Sequence, residues 1–551
     1  MLLASMWMPD AATMRLILPE LMLVATVVVL LIAPLLVGRH SRLTGGLALV
    51  GAVVAALAAV SSFKLVGDGS TALFAVGGDA AGGSAMLVAD KLGMFFRVLL
   101  MVFLVGIVLM WFWFDAQRER HAPEFFTLLV ASALGMALMA STVNLLLMVI
   151  AIELASMPSY ALAGFDRFRK KASEASLKYA IFGAVTSGFM IYGVSLLYGL
   201  FGTLHIPTLI GRIAAASAGT QSSAVLAVAL LAVFAGIAFK ISAVPFHFWC
   251  PDVFEGASLP VATWLSVASK AAGLVLVLRL IAMFVTVPHA PLSATLLPII
   301  SYGVGFFAIL TCTVANLAAY RQRNVRRMLA YSSIAHAGYM LTAGAVVLQG
   351  GSLAAAMGAV ITYLVVYMFM NFGAFLAVGL VGADTGSENL DVFTGLGWRD
   401  PATAASLTLC LVSLIGLPPM GGFIAKWWLI WALGGAAHAA GTGLSAWLWI
   451  IVTVVVINTA ISLYYYARVI REMYLRGAKV TGDTLRAPLF GKLALHVCAL
   501  VLLATGTVLV GSLRRSTASV VRADRAVVTP VVRVVEAAAG SGAALPPVRE
   551  P

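Results

Sequence analysis

Charge is what this chain has least of. Of its 551 residues only 10% are charged, against 62% hydrophobic, and the mean hydropathy is +1.03. A soluble domain could not keep that much apolar surface from water, so the soluble classes are excluded. Cysteine is scarce as well. Cys250, Cys312, Cys410 and Cys498 stand singly. Without a CxxC pair, iron–sulfur, zinc and haem attachment have no support, and the thiols read as small packing groups. No GxGxxG follows a strand and no phosphate-binding P-loop occurs, which removes both nucleotide sites. The opening MLLASMWMPDAATMR has no basic leader before a short apolar core, so residues 16–37 read as a retained first helix.

Long apolar runs are abundant. A membrane-spanning helix takes about 20 apolar residues, and the runs divide into about 14 crossings. The expected fold is an all-α polytopic bundle embedded in a lipid bilayer. The net charge of +13 is not laid out as a nucleic-acid surface. Lys and Arg crowd into alternate loops: GRHSR (38–42), DAQRER (115–120), DRFRKK (166–171), YRQRNVRR (320–327) and RVIREMYLRGAK (468–479). The loops between them carry almost none. By the positive-inside rule the basic loops are expected in the cytoplasm, and an even number of spans then puts both termini on the periplasmic side. The arginines after Leu513 run against this pattern: either the last span is miscounted or, the favoured reading, this late segment does not control topology.

Two hydrophobic segments are interrupted. FKISAVPFHFW contains Pro245, and LIGLPPMGGFIAKWW contains Pro418, Pro419, Gly421 and Gly422. Proline removes a backbone donor and clashes with the preceding turn, so each segment predicts a broken helix. Unpaired backbone at membrane depth is tolerated only inside protein or against water. The breaks are five spans apart, an odd number, so a five-helix unit would recur upside down, the arrangement that marks transport sites. The expected divisions are 1–121 (helices 1–3), 122–286 (inverted repeat one, helices 4–8), 295–475 (inverted repeat two, helices 9–13), 488–513 (helix 14) and 514–551 (a basic, disordered tail).

Lone ionisable groups lie deep in several spans. Hydrocarbon accepts them only at a cost of several kcal/mol, so they mark ion or proton paths by default. Glu153 falls near mid-membrane in NLLLMVIAIELASMPSY. Lys240 precedes the first break and is its best partner: burial favours the neutral amine and a nearby carboxylate restores the ammonium. Lys270 in WLSVASKAAG follows on the next span, and repulsion between adjacent ammonium groups can pass a proton sideways. His336 in MLAYSSIAHAGYML can bridge lysines because imidazole titrates nearest neutrality. Lys426 follows the second break. Lys178 and His247 are weaker candidates, Glu20 reads as structural, and Asp252 and Glu255 read as ties in a turn.

KISAVPFHFWCPDVFEGASLPVATWLSVASKAAG (240–273), NVRRMLAYSSIAHAGYML (324–341), GLPPMGGFIAKW (416–427) and NTAISLYYYARVIREMY (458–474) resemble the subunit N family of proton-pumping NADH:quinone oxidoreductase, the bacterial respiratory complex I. ASEASLKYAIFGAVTSGFMIYGVSLLYG (172–199) also fits, and the similarity covers roughly 15–512. The resemblance implies an antiporter-like subunit of the inner membrane, without a redox centre of its own. Glu153 and Lys240 would be the coupling pair, Lys270 the lateral link, His336 part of a central polar axis and Lys426 the exit-side lysine. NADH, quinone, FMN and iron–sulfur clusters would belong to partner subunits, and other membrane-arm subunits would be the neighbours. The rivals are a freestanding cation/proton antiporter of related ancestry, which needs a carboxylate-rich site, and a structural spacer.

Overall fold

The computed structural model describes residues 11–66, 71–74, 85–114, 121–215, 220–286, 290–347, 353–476, 484–512 and 515. The basic stretches 115–120 and 477–479 and almost all of the tail after Leu513 lie outside these. After a short helix at Ala11–Leu16, the first part of the chain forms α1 (Leu18–Val37), α2 (Ser41–Leu65), α3 (Lys91–Phe114) and α4 (Ala122–Met139). Next come α5 (Leu145–Ala163), α6 (Lys170–Phe201), α7 (Thr220–Ile241), α8 (Trp249–Gly256), α9 (Leu259–Trp264) and α10 (Lys270–Thr286). Then follow α11 (Ala290–Ala319), α12 (Val325–Val347), α13 (Leu353–Thr385), α14 (Pro401–Ile415), α15 (Gly421–Ala439), α16 (Thr442–Tyr474) and α17 (Leu489–Thr507).

Among the described residues, twelve helices are long and apolar enough to cross a membrane. Two further crossings complete the expected count: α12, whose hydropathy Arg326, Arg327, Ser332, Ser333 and His336 dilute, and the interrupted pair α14–α15. The all-α expectation holds, with one short strand pair beside the helices. Thr71–Leu73 (β1) and Leu87–Ala89 (β2) pair antiparallel, with Ala72 opposite Val88. Val88 N–H then bonds the Ser141 carbonyl at 2.8 Å. Three-residue strands are too short to leave a period-two pattern in a sequence.

Local signals set the helix ends. Asn144 caps α5, its side-chain oxygen accepting from Leu146 and Leu147 N–H at 2.9 and 3.3 Å, the ordinary use of a short polar side chain at an N-terminus. Asp400 caps α14 through Thr403 N–H at 3.1 Å, with Pro401 in the first turn. The most enclosed span is α13, 89% buried along its apolar window against 28% for α1 and α16, so α13 is the post around which the second half packs.

Both expected breaks are present. α7 stops at Ile241 and α8 resumes at Trp249; α14 stops at Ile415 and α15 resumes at Gly421. The two turns share a backbone pattern. Ser242 and Gly416 have positive φ, 58° and 86°. The next residue in each case, Ala243 and Leu417, bonds back five residues to Ala238 and Val412 carbonyls at 2.8 and 3.2 Å. A third irregularity was not foreseen. Leu265–Ser269, joining α9 to α10, is a π-helical turn immediately before Lys270; such turns recur at functional positions.

Candidate functional site

Lys240, Lys270, His336 and Lys426 are all buried, none more than 3% exposed, and Glu153 is half-buried. Lys240 lies in the last turn of α7, where the carbonyl ends of the helix favour a cation. Its Nζ donates to Ser156 Oγ at 3.0 Å. The Ser156 hydroxyl proton is engaged by the Ile152 carbonyl at 2.6 Å, so toward Lys240 this oxygen can only accept. Glu153 sits three residues before Ser156 on the same face of α5 and accepts from Ser187 of α6. The expected direct contact between Glu153 and Lys240 is therefore not made. Each holds a serine.

Lys270 occupies the first turn after the π-helical segment. Its Nζ donates to Ser333 of α12 and to Cys250 Sγ of α8, the latter at 3.5 Å, and lies 5.3 Å from the Phe254 ring centroid. His336 stands three residues after Ser333 on the same face of α12, so it follows on from the lysine contact along that helix. His336 Nδ1 meets the Tyr363 hydroxyl at 2.7 Å, and its ring packs beside Tyr339 and Tyr367. Tyr367 donates to the Ser266 carbonyl at 3.2 Å, inside the π-helical turn. One aromatic side chain thus connects the histidine to the turn that carries Lys270.

Lys426 reaches back across the second break. Its Nζ donates to the carbonyls of Leu414 and Ile415 at 3.1 and 2.8 Å, which are orphan acceptors at the end of α14. It also lies 4.8 Å from the Tyr339 ring centroid. Tyr339 accepts from Asn316 at 2.8 Å, and Asn316 donates to Asn458 Oδ1 at 3.0 Å. These buried amides continue the polar row from α12 to α11 and α16. A Cβ on Gly416 would stand 2.7 Å from Lys426 Cδ, so that glycine serves both the positive φ and the passage of the lysine.

Sequence reasoning missed several of these groups. Ser156, Ser187, Cys250, Tyr363 and Tyr367 carry no charge, and small hydroxyls and tyrosines are common in any span. Asn316 and Asn458 had a readable signal, a lone amide in an apolar run. The pair of Asp90 and Arg279 was also overlooked: 2.6 Å apart, at most 3% exposed, with Arg279 Nε also bonding the Ala140 carbonyl. Glu20 pairs with Arg97 at 2.6 Å, in keeping with a structural role.

On the basic-loop side, α8 is tied by charge. Asp252 meets Lys178 and Arg327, and Glu255 meets Lys171 and Arg327, at 2.5–3.0 Å. Burial pushes both carboxyls up, but the bonds from these cations outweigh it and hold both below the usual carboxylate range. Lys178 is thus engaged by Asp252 and by Glu174. His247 is buried beside Phe248, and its carbonyl accepts from Cys250 N–H at 3.0 Å.

Residues 142–459 match the family described as NADH:quinone oxidoreductase/Mrp antiporter, transmembrane. The NADH-quinone oxidoreductase subunit N 2 of Sorangium cellulosum is 40% identical over 511 residues, covering 91% of this chain and 95% of that protein. The subunit N of an Anaeromyxobacter species is 41% identical, covering 83% and 86%. Among solved structures, a chain of respiratory complex I from Thermus thermophilus aligns with a TM-score of 0.69 at 27% identity, over 91% of this chain and 99% of that one. A chain of the Mrp complex from Dietzia shares the fold, with a TM-score of 0.77 at 20% identity.

Proposed function

Because the chain belongs to the subunit N family of NADH-quinone oxidoreductases, we propose that its row of buried lysines moves protons across the membrane for an enzyme whose electron transfer takes place in other subunits. The chain is a proton-pumping membrane-arm subunit. It lies in the bacterial inner membrane, with basic loops on the cytoplasmic side and other membrane-arm subunits as neighbours. NADH, FMN, iron–sulfur clusters and quinone act in those partners. Residues 122–286 and 295–475 are two inverted units, each with its own break and lysine.

The observation that carries this reading is that each break has a buried lysine at the carbonyl end of its leading half-helix, with Lys270 and His336 between them. Lys240, released from Ser156, could swing toward Glu153 one turn away and close an ion pair. Opening or closing a buried pair changes free energy by a few kcal/mol. Moving one charge against 100 mV costs about 2.3 kcal/mol. One such pair is therefore commensurate with one proton. From Lys240 the route runs to Lys270, by Ser333 and His336 to Tyr339, and on to Lys426.

The test replaces Lys240 or Glu153 by alanine in the assembled enzyme and follows NADH-driven acidification of inverted membrane vesicles. Loss of pumping with normal assembly is expected. Normal pumping would leave the chain a spacer, and cation exchange by the purified chain alone would make it a freestanding antiporter.

A further inference from the structure

The three lysines are seated differently, and the difference is chemical. An ammonium has three donors and no acceptor; a neutral amine has a lone pair that needs a donor. Lys426 is held by two backbone carbonyls and an aromatic face, all of which only accept. Lys240 is held by Ser156, whose proton is engaged by Ile152. Both settings suit the protonated form alone.

Lys270 has three contacts for its three donors. Ser333 accepts from it, while the Ser333 hydroxyl proton is engaged by the Ala330 carbonyl at 2.7 Å. The Phe254 face accepts as well. Cys250 Sγ, 3.5 Å away and fully buried, is the third. A thiol is a weak acceptor and also a donor. A Ser333 hydroxyl that turned its hydrogen to the nitrogen would give up the Ala330 carbonyl, whereas Cys250 Sγ donates to no carbonyl among the described residues and is free to turn its hydrogen toward the nitrogen once the amine is neutral. No ion pair involves Lys270 among the described residues, so no carboxylate fixes its charge.

We propose that Cys250 is a positioning residue that keeps Lys270 seated in both its charged and its neutral forms, making Lys270 an amine through which protons pass and not one at which they rest. The thiol acts by reversing its hydrogen bond: sulfur accepts from the ammonium, and S–H donates to the amine. No bond to sulfur is made or broken. The position of Cys250, second residue of α8 and just past the break that follows Lys240, puts this device on the step between the two lysines.

The inference rests on Lys270 carrying protons, and the experiment separates the two ideas. Cys250→Ala, Cys250→Val and Cys250→Ser are compared with Lys270→Ala in the assembled complex, reading protons moved per NADH oxidised together with the initial pumping rate. Cys250→Val fills the volume of the thiol without its polarity; Cys250→Ser keeps a group that both donates and accepts. A hydrogen bond to a charged group changes an equilibrium by roughly tenfold or more, and a weak sulfur acceptor by less. The alanine and valine variants are therefore expected to pump about three- to tenfold more slowly with a lowered proton yield. Serine should restore both to within about twofold. Wild-type pumping by alanine and valine, or a serine variant as poor as alanine, overturns the proposal. Wild-type pumping by Lys270→Ala overturns the underlying reading instead.

Discussion

Replacing Lys426 by arginine separates two jobs that one side chain does. As a structural group, Lys426 satisfies the buried carbonyls of Leu414 and Ile415. Leaving a buried carbonyl without a partner costs about 1–3 kcal/mol, so Lys426→Ala should destabilise the second break by about 2–6 kcal/mol, a large share of the 5–15 kcal/mol that holds a typical domain together. In its proposed role as a proton carrier, Lys426 must also let go of its proton. Arginine supplies more N–H donors to the same carbonyls, and its planar group suits the Tyr339 face, but it stays protonated at any working pH. The arginine variant should assemble to wild-type levels and fail to pump; the alanine variant should fail to pump and also assemble poorly. Assembly is read from the yield and melting temperature of the extracted complex, and pumping from vesicle acidification. Wild-type pumping by Lys426→Arg would refute the carrier role, and wild-type heat stability of Lys426→Ala would refute the capping argument.

Ser156→Ala removes the acceptor of Lys240 without touching a charge, and should slow pumping several-fold at unchanged assembly, since one bond to a charged group is lost; an unaltered rate would mean that Lys240 does not depend on this seat. Arg279→Ala strands the buried Asp90 carboxylate, which should cost about 3–5 kcal/mol, seen as a lowered melting temperature that Asp90→Asn in the same chain partly restores. Asp252 and Glu255 are held below the usual carboxylate range by Lys178, Lys171 and Arg327. Their stabilisation is complete above the unfolded value of about 4 and is lost as pH falls through the lower folded values. An Asp252→Asn, Glu255→Gln variant should therefore melt lower than wild type at pH 7, and its melting temperature should fall less on acidification below about pH 4.

Much of this site was legible because a charge in hydrocarbon has few reasons to be there. Glu153, Lys240, Lys270 and Lys426 could be picked from composition alone, and Pro245 and Pro418–Pro419 announced the breaks. What could not be read is the state of each charge. Periodicity puts Glu153 and Ser156 on one face of α5, yet nothing in it tells which of them Lys240 holds, because a flexible four-carbon stem reaches either. The π-helical turn at Leu265–Ser269 was also out of reach: SVAS contains no helix breaker, and the turn depends on tertiary partners such as Tyr367 on α13. Asp90 and Arg279 are far apart in sequence, and Asp90 stands just before α3, where a charge reads as an ordinary interfacial residue.

The two breaks, superimposed by their own backbone, explain how the lysines come to be equivalent. Ser242 and Gly416 share the positive φ, and Ala243 and Leu417 share the five-residue bond. In that register Lys240 corresponds to Leu414, and Lys426 corresponds to Asp252. The lysines therefore sit on opposite arms of the same turn, one before the break and one after it. Lys426 nevertheless ends on the carbonyl of Leu414, the residue matched to Lys240. Lys240 thus grows from the carbonyl end of its leading half-helix, and the Lys426 ammonium is held at the carbonyl end of the other, where the backbone dipole is negative. At one break the side chain grows from that helix, and at the other it folds back from the next. What the two breaks hold in common is a place for a cation that a broken helix creates, and the position of the lysine in the chain can vary as long as its stem reaches that place.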